Sequence, residues 1–288
     1  MSKVKTTSQT ITDKTSFFSV NISEIWRYRD LIKIFIRRDF IAVYKQTILG
    51  PIWHLITPLL SSIVYMAIFG VLFQTSESGS GTPKILFFLS GTILWSFFSS
   101  SLASVSTTLL DNANIFGKVY FPRLAVPIAL MASKSISFFL QLIMFVLMYL
   151  FYCIKGDVEF KWISLLIFPL CVLMIGIFSF GIGILISALT VKFRDFQKLI
   201  VFITQLAMYA SPVLYSVDQF FDQIPEKYQE IYFLNPLVSI FEIYRYGLFG
   251  YGHIDIGYLI YSFVTIIILS FIGIGVFSKV EKNFIDTI

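Results

Sequence analysis

The sequence predicts an all-α integral membrane protein with six transmembrane helices, and three observations support this fold class. Hydrophobic residues make up 57% of the 288 residues and charged residues only 14%, which is far from the balance of a soluble domain. Six long runs contain almost no charge, and each can cross the roughly 30 Å hydrocarbon core of a bilayer as a helix. Lysine and arginine are concentrated in alternate connections between these runs.

The first 50 residues are predicted to precede the membrane. Residues 1–22 are polar and rich in Thr, Ser and Lys, which predicts a disordered N-terminus without a signal peptide. Residues 23–50 are predicted to form an amphipathic helix at the cytoplasmic interface. Its apolar stripe consists of Ile25, Tyr28, Ile32, Phe35 and Ile36. We expect this stripe to lie on the membrane.

Residues 51–278 are predicted to form the membrane domain. The six spans are predicted at about 51–73, 85–110, 124–154, 162–191, 199–217 and 256–278. Lys134 is the one charged residue within them, and a single lysine is tolerable there if it faces protein or water. Because the spans lack Asp and Glu, they lack the groups that ion-coupled carriers use near the membrane midplane, which argues against a secondary transporter.

The distribution of charge predicts the orientation of the chain. Sixteen lysines and arginines fall in the N-terminal segment, in the connections after the second and fourth spans, and in the tail 279–288, against five on the other side. The positive-inside rule therefore places both termini in the cytoplasm, and it explains the net charge of +5 better than nucleic-acid binding does.

The segment 218–255 is predicted to be an outer loop with re-entrant helices between spans five and six. Its first part is acidic, and its second part is apolar but contains Pro236, Glu242 and Arg245. We therefore favour short re-entrant or interfacial helices over a seventh span. Glu242 and Arg245 are three residues apart, so on a helix they can form an ion pair.

Motifs for chemistry are missing from the sequence. It contains no GxxxxGK[ST] phosphate-binding loop, no HExxH, no GxSxG and no cluster of His and Cys. We therefore predict no catalytic residues, no metal site and no cofactor in this chain. Any energy for transport must come from another protein.

The stretch RRDFIAVYKQTILGPIWHLITPLL, residues 37–60, resembles the opening of permease subunits of type-2 ABC transporters that export polysaccharide. In that family an arginine–aspartate pair precedes a YKQT-LG-W-P block. The matching residues are Arg38, Asp39, Tyr44, Lys45, Gln46, Thr47, Leu49, Gly50, Trp53 and Pro58. Further similar motifs follow in the family's order, namely NANIFGKVYFPRLAVPIA at 112–129, FRDF at 193–196, SPVLY at 211–215 and LNPL at 234–237. The resemblance covers about residues 23–278.

This resemblance implies a homodimer in the bacterial inner membrane that works with two cytoplasmic P-loop ATPase subunits. ATP and Mg would bind to those partners, and the substrate would be O-antigen, teichoic acid or a related polymer on its lipid carrier. Membrane lipids are the remaining expected partners, and no nucleic acid is expected. Two alternatives stay open: a membrane polysaccharide polymerase or glycosyltransferase that uses the charges of the outer loop, and a drug or lipid exporter of the same permease type.

The resemblance also identifies the loop between the second and third spans as the candidate docking site for the ATPase. The candidate residues are Asp111, Asn112, Ile115, Phe116, Lys118, Tyr120 and Arg123. Asp111 or Asn112 is expected to cap a short helix, the apolar and aromatic residues to fill a groove on the ATPase, and the two cations to pair with acidic residues around it. The alternative is a plain connection that carries positive-inside charges.

Two further groups are candidates for substrate contact. Basic residues at the cytoplasmic leaflet can bind the pyrophosphate headgroup of a lipid carrier or attract anionic lipids in general, and they are Arg27, Arg29, Arg37, Arg38 and Lys45. Aromatic residues near the outer side can stack on sugar rings or form an ordinary interfacial belt. They are Phe87, Phe88, Trp95, Phe98, Tyr209, Tyr215, Tyr228 and Tyr232.

Overall fold

A computed structural model describes residues 22–44, 49–72, 82–117, 121–222, 224–252 and 254–283. Within these ranges the chain is helical and forms no strand, which confirms the all-α prediction for the described residues. The helices are α1 (Ile22–Arg27), α2 (Arg29–Tyr44), α3 (Trp53–Leu72), α4 (Lys84–Ser106), α5 (Thr108–Asp111), α6 (Ala113–Phe116), α7 (Ala125–Lys155), α8 (Ser164–Lys192), α9 (Phe196–Tyr209), α10 (Val217–Phe221), α11 (Glu226–Phe233), α12 (Pro236–Phe249) and α13 (Ile256–Asn283). A 3₁₀ turn, Gly50–Ile52, leads into α3.

Five helices in the described part of the chain are long and apolar enough to cross a membrane, namely α3, α4, α7, α8 and α13. They correspond to the first four predicted spans and the last. The predicted fifth span differs, because its helix α9 has 14 residues and the chain leaves the helix at Ala210. Fourteen residues rise only about 21 Å. Pro212 gives the physical reason, since proline disfavours helix both at its own position and at the residue before it.

Helix α4 forms the centre of the bundle. Its side chains Leu86, Phe88, Leu89 and Leu94 are fully buried, and the helix packs against α3, α7, α8 and α9. The outer helices instead expose large apolar side chains, for example Ile63 on α3. Such exposure suits helices whose surroundings are lipid, so α4 is the helix that the rest of the protein surrounds.

Small residues bring α8 close to its neighbours. A Cβ atom on Gly183 would lie 2.8 Å from the side chain of Val105 on α4, and one on Gly181 would collide with Ser270 on α13. The hydroxyl of Ser270 donates a hydrogen bond across this contact to the carbonyl oxygen of Ile177, at 3.1 Å. Glycine and serine therefore allow a close approach of backbones, as in other membrane helix pairs.

One end of the bundle, which we call the basic end, contains α1, α2, residues 107–117 and 121–124, and the last turns of α8 and α13. An apolar cluster there joins Phe35 of α2, Phe116 of α6 and Phe277 of α13. Within the stripe that was predicted to lie on the membrane, Phe35 is buried in this cluster, while Ile25, Tyr28, Ile32 and Ile36 pack against the cluster and stay partly exposed. The expectation that this stripe faces lipid was therefore wrong for Phe35. An amphipathic pattern does not distinguish a lipid surface from a protein surface.

The other end, which we call the re-entrant end, contains α10, α11, α12 and the first turns of α4. Helix α12 is buried along most of its length and packs on α8 and α13. The hydroxyl of Tyr149, near the end of α7, donates to the carbonyl oxygen of Leu248 at 2.8 Å. The short helix α12 is thus held by α7, α8 and α13.

Candidate functional site

The connection between α4 and α7 at the basic end contains the predicted docking residues. Two one-turn helices, α5 and α6, follow α4 with a break at Asn112. The side-chain amide of Asn112 donates a hydrogen bond back to the carbonyl oxygen of Thr108 at 3.0 Å, and this side chain makes no capping hydrogen bond to α6. Asp111 lies inside α5. The predicted capping role of these two residues was therefore wrong, since the amide of Asn112 stabilises the preceding turn.

Phe116 and Arg123 are engaged within the chain. The ring of Phe116 is 5% exposed and lies 5.6 Å from the ring of Phe121. The guanidinium of Arg123 lies 5.8 Å from the centre of the Phe116 ring and donates to the backbone carbonyl of Glu281 on α13. Phe116 and Arg123 therefore attach this connection to α13. Neighbouring residues form the outer surface of the connection.

That outer surface is polar. Asp111, Asn114 and Gly117 are exposed, and Ile115 is half-buried. The predicted docking residues Lys118 and Tyr120 lie outside the described residues. The sequence interpretation missed Asn114 and Gly117, although the steps of three residues from Asp111 to Asn114 and from Asn114 to Gly117 were a signal that the three can share one side.

The predicted headgroup arginines are exposed but do not converge. The guanidinium of Arg29 lies over the ring of Trp26 at 5.9 Å, and that of Arg38 donates to Asp39 at 2.8 Å. Arg27 ends α1, whereas Arg37 lies in the third turn of α2. Of the set, Arg37 lines a groove against α7. Lys45 lies outside the described residues.

Most of the predicted sugar-contact aromatics are buried. Phe87, Phe88, Trp95, Phe98 and Tyr215 are each at most 6% exposed, and Tyr232 is partly buried. Tyr209 and Tyr228 are about half exposed, at 50% and 52%. The expectation that the four α4 aromatics present a surface to sugar was wrong for this structure, because they fill the protein core.

Arg245 on α12 is the centre of a buried polar site at the re-entrant end. Its side chain is 1% exposed, and its two terminal nitrogens donate to the carbonyl oxygens of Tyr215 at 2.7 Å and Val213 at 2.9 Å. Its guanidinium carbon lies 4.0 Å from the centre of the Phe87 ring. The carboxylate of Glu242 lies 4.0 Å away, so the predicted pairing of Glu242 with Arg245 is confirmed.

This site holds the non-helical turn 210–216. Backbone carbonyls without helical partners need donors when water is excluded, and Arg245 supplies two. Asn235 caps α12, and its amide also donates to Ala210 at 3.1 Å and to Ser211 at 3.0 Å. On the other side the turn packs on Gly91 of α4, where a Cβ atom would lie 2.5 Å from the carbonyl oxygen of Val213. The turn is thereby fixed between α4 and α12.

The arrangement is structural rather than catalytic in character. Glu242 and Arg245 bind each other and the backbone away from any surface. Among the described residues no group of three or more His, Cys, Asp and Glu side chains can hold a metal ion. The buried Glu242–Arg245 site thus fixes the turn 210–216 in a chain with several membrane-spanning helices.

Comparison with known proteins identifies the family. Residues 30–249 match the family described as ABC-2 type transporter. The chain is 27% identical to an O-antigen export system permease protein, RfbA, of Klebsiella pneumoniae, over 89% of this chain and 94% of that protein. It is 24% identical to RfbA of Myxococcus xanthus, over 93% and 98%, and 23% identical to the capsule polysaccharide export inner-membrane protein CtrC of Neisseria meningitidis serogroup B, over 88% and 92%. The chain therefore belongs to the ABC-2 type transporter family, in which its relatives are permease proteins.

Proposed function

We propose that the chain is the membrane-spanning permease of an ATP-driven exporter that moves lipid-linked polysaccharide from the cytoplasm across the bacterial inner membrane. The observation that carries this proposal is the near-complete match to O-antigen export permeases, over 89% of this chain and 94% of the Klebsiella protein. Because the sequence contains no phosphate-binding loop, ATP and Mg belong to a separate ATPase subunit.

Six crossings with both termini in the cytoplasm fit the helix arrangement. Helix α8 ends at the basic end, and the chain reaches α10 and α11 at the re-entrant end before α13 returns. Residues 196–216 are proposed to make the fifth of the six crossings, with 14 residues in α9 and the remainder in the turn that Arg245 holds. The excess of Lys and Arg at the basic end supports a cytoplasmic position for that end.

Docking of the ATPase is proposed on the polar surface that Asp111, Asn114, Ile115 and Gly117 form. Phe116 and Arg123 anchor that surface to the cluster that also holds α2 and α13. A partner that closes on ATP would therefore move several helix ends together, which is how a local contact can become a transmembrane motion. A second copy of the chain and a second ATPase complete the proposed exporter.

The alternative of a polymerase or glycosyltransferase gains no support from the outer loop. The charged residues that it would need there include Glu242 and Arg245, and these are buried with each other at 2% and 1% exposure. Tyr209 and Tyr228 are exposed and remain proposed sugar contacts. Transport without chemistry on the substrate therefore fits the side chains better.

A pair of matched variants tests the proposal in a strain whose own copy of the gene is deleted. D111R reverses an exposed charge on the proposed docking surface, and D222R makes the same change at an exposed position of the re-entrant end. The tagged chain is purified from membranes, and co-purified ATPase, surface polysaccharide and lipid-linked polymer on the cytoplasmic side are measured.

We expect the wild type and D222R to retain an ATPase and to export polymer, whereas D111R loses the ATPase and polymer accumulates inside. Absence of polymer from the deletion strain, rather than its accumulation, would support the polymerase alternative. Normal polymer export in the deletion strain, with increased sensitivity to toxic compounds, would support a drug exporter. Equal ATPase retention by D111R and D222R would contradict the docking surface while leaving export itself standing.

A further inference from the structure

A groove lies between α2 and α7 at the basic end. It has a volume of about 250 Å³ and is lined by Lys33, Ile36, Arg37, Phe40 and Ile136. Ile36, Phe40 and Ile136 form an apolar floor, and the cations Lys33 and Arg37 lie at the rim. An apolar floor beside a charged rim suits an amphiphilic ligand.

The apolar floor continues along α7. Ile136 is followed at helical spacing by Phe139 and Ile143, whose side chains are 56% and 58% exposed. Positions three and seven residues apart lie on one side of a helix, so the three form a continuous apolar track that leads away from the groove. A hydrocarbon chain can follow this track, whereas a soluble anion would use only the rim.

The net charge of the residues at the rim matches a ligand with one negative charge. Lys33 forms an ion pair with Asp30 at 2.9 Å, and this contact lowers the pKa of Asp30 below its ordinary value, so the carboxylate stays ionised. Arg37 is exposed, and no ion pair with it is found within the described residues. Lys33, Arg37 and Asp30 together carry a formal charge of +1. A single phosphodiester fits this charge better than a diphosphate does.

We propose that this groove binds one anionic phospholipid of the cytoplasmic leaflet, such as phosphatidylglycerol. Its phosphate lies between Lys33 and Arg37, and one acyl chain lies on Ile36, Phe40 and Ile136 and continues along α7. The bound lipid holds α2 against α7 at the membrane surface. This site depends on the placement of the basic end in the cytoplasmic leaflet and does not depend on which substrate is exported.

Native mass spectrometry of the purified full chain tests the site. The protein is exchanged into mixtures of phosphatidylglycerol and phosphatidylcholine, and the lipid retained per chain is counted. Two variants change the groove in different ways, since R37Q removes the unpaired charge and I136W fills the floor without changing charge. R194Q is the matched control, because Arg194 is an exposed arginine outside the groove.

We expect the wild type and R194Q to retain one phosphatidylglycerol in preference to phosphatidylcholine, and R37Q to reduce that retention about fivefold. I136W is expected to abolish it with an unchanged circular dichroism spectrum, and it supplies the test if R37Q is poorly produced. Equal retention by R37Q and R194Q, or no preference for the anionic lipid, would overturn the proposal. Stronger retention of an isoprenyl diphosphate than of phosphatidylglycerol would overturn it in favour of the carrier lipid.

Discussion

Replacement of Arg245 by methionine is expected to release the re-entrant turn from α12. The guanidinium satisfies two backbone carbonyls, at 2.7 and 2.9 Å, and balances the buried carboxylate of Glu242. Methionine fills much of the same volume but offers no donor and no charge. The variant therefore leaves two backbone acceptors without this donor and removes the cation beside the buried carboxylate of Glu242.

The size of this effect follows from the burial of the pair, whose side chains are 1% and 3% exposed. Removal of one partner of a buried ion pair destabilises a protein by about 3–5 kcal/mol, because the remaining charge stays in a poorly solvating environment. Removal of the carboxylate as well, in E242Q/R245M, eliminates that charge. The double variant is therefore expected to be less destabilised than the sum of the two single variants, by about 0.5–3 kcal/mol.

The measurement is the free energy of unfolding of the purified protein in detergent, obtained by titration with a denaturing detergent and followed by circular dichroism. R245K gives a further comparison, because lysine keeps the charge but lacks the planar fork that reaches both carbonyls, so it should restore stability only in part. R27M is the control at an exposed arginine and should change the free energy by less than about 0.5 kcal/mol. A loss below about 1 kcal/mol for R245M, or additive single and double variants, would refute the role assigned to the guanidinium.

Three further predictions concern packing and use the same titration. G91A should destabilise the protein by about 1–3 kcal/mol, because its Cβ atom would lie 2.5 Å from a carbonyl oxygen of the re-entrant turn. G117A, at an exposed position, is the control and should have little effect. Equal losses of stability in the two variants would contradict the close contact at Gly91. G181A should separate α8 from α13 with a loss of similar size, and an unchanged stability would show that the two helices are less closely packed. F35A should leave a cavity in the basic-end cluster and destabilise by about 3–5 kcal/mol, with faster proteolysis of α2, while I34A on the exposed side should change neither.

The positions of most spans were predictable from the sequence, because charged residues and glycines mark where a span ends. The third span was predicted at 124–154, and the helix observed is Ala125–Lys155, followed by Gly156 in a left-handed conformation with φ of +86° that ends the helix. The fifth span was not predictable by hydropathy. The segment 210–216 is as apolar as a membrane-spanning helix, so hydropathy does not show that the helix has ended. Its backbone carbonyl oxygens accept hydrogen bonds from Arg245 and Asn235, which lie 20 or more residues further along the chain.

Which way a helix faces was much less predictable. Helices α3 and α4 have similar apolar compositions, yet α4 is central and α3 is mostly exposed. In water an apolar residue marks the core, but in a bilayer both lipid and protein interior accept it, so its type carries little positional information. This explains why the four aromatics of α4 were assigned to a sugar surface although they fill the core.

Polar residues in the apolar segments carry the positional information that apolar ones lack. A charged side chain in a membrane domain has few acceptable surroundings, namely a partner, a set of backbone acceptors or water. Glu242 and Arg245 were for this reason correctly paired from sequence, and Arg245 in addition binds the backbone of the turn. The same argument bears on the docking surface. In the described part of the connection after α4 the aromatic Phe116 is buried and the polar Asp111 and Asn114 are exposed, so a partner that binds this connection as proposed would contact polar side chains there.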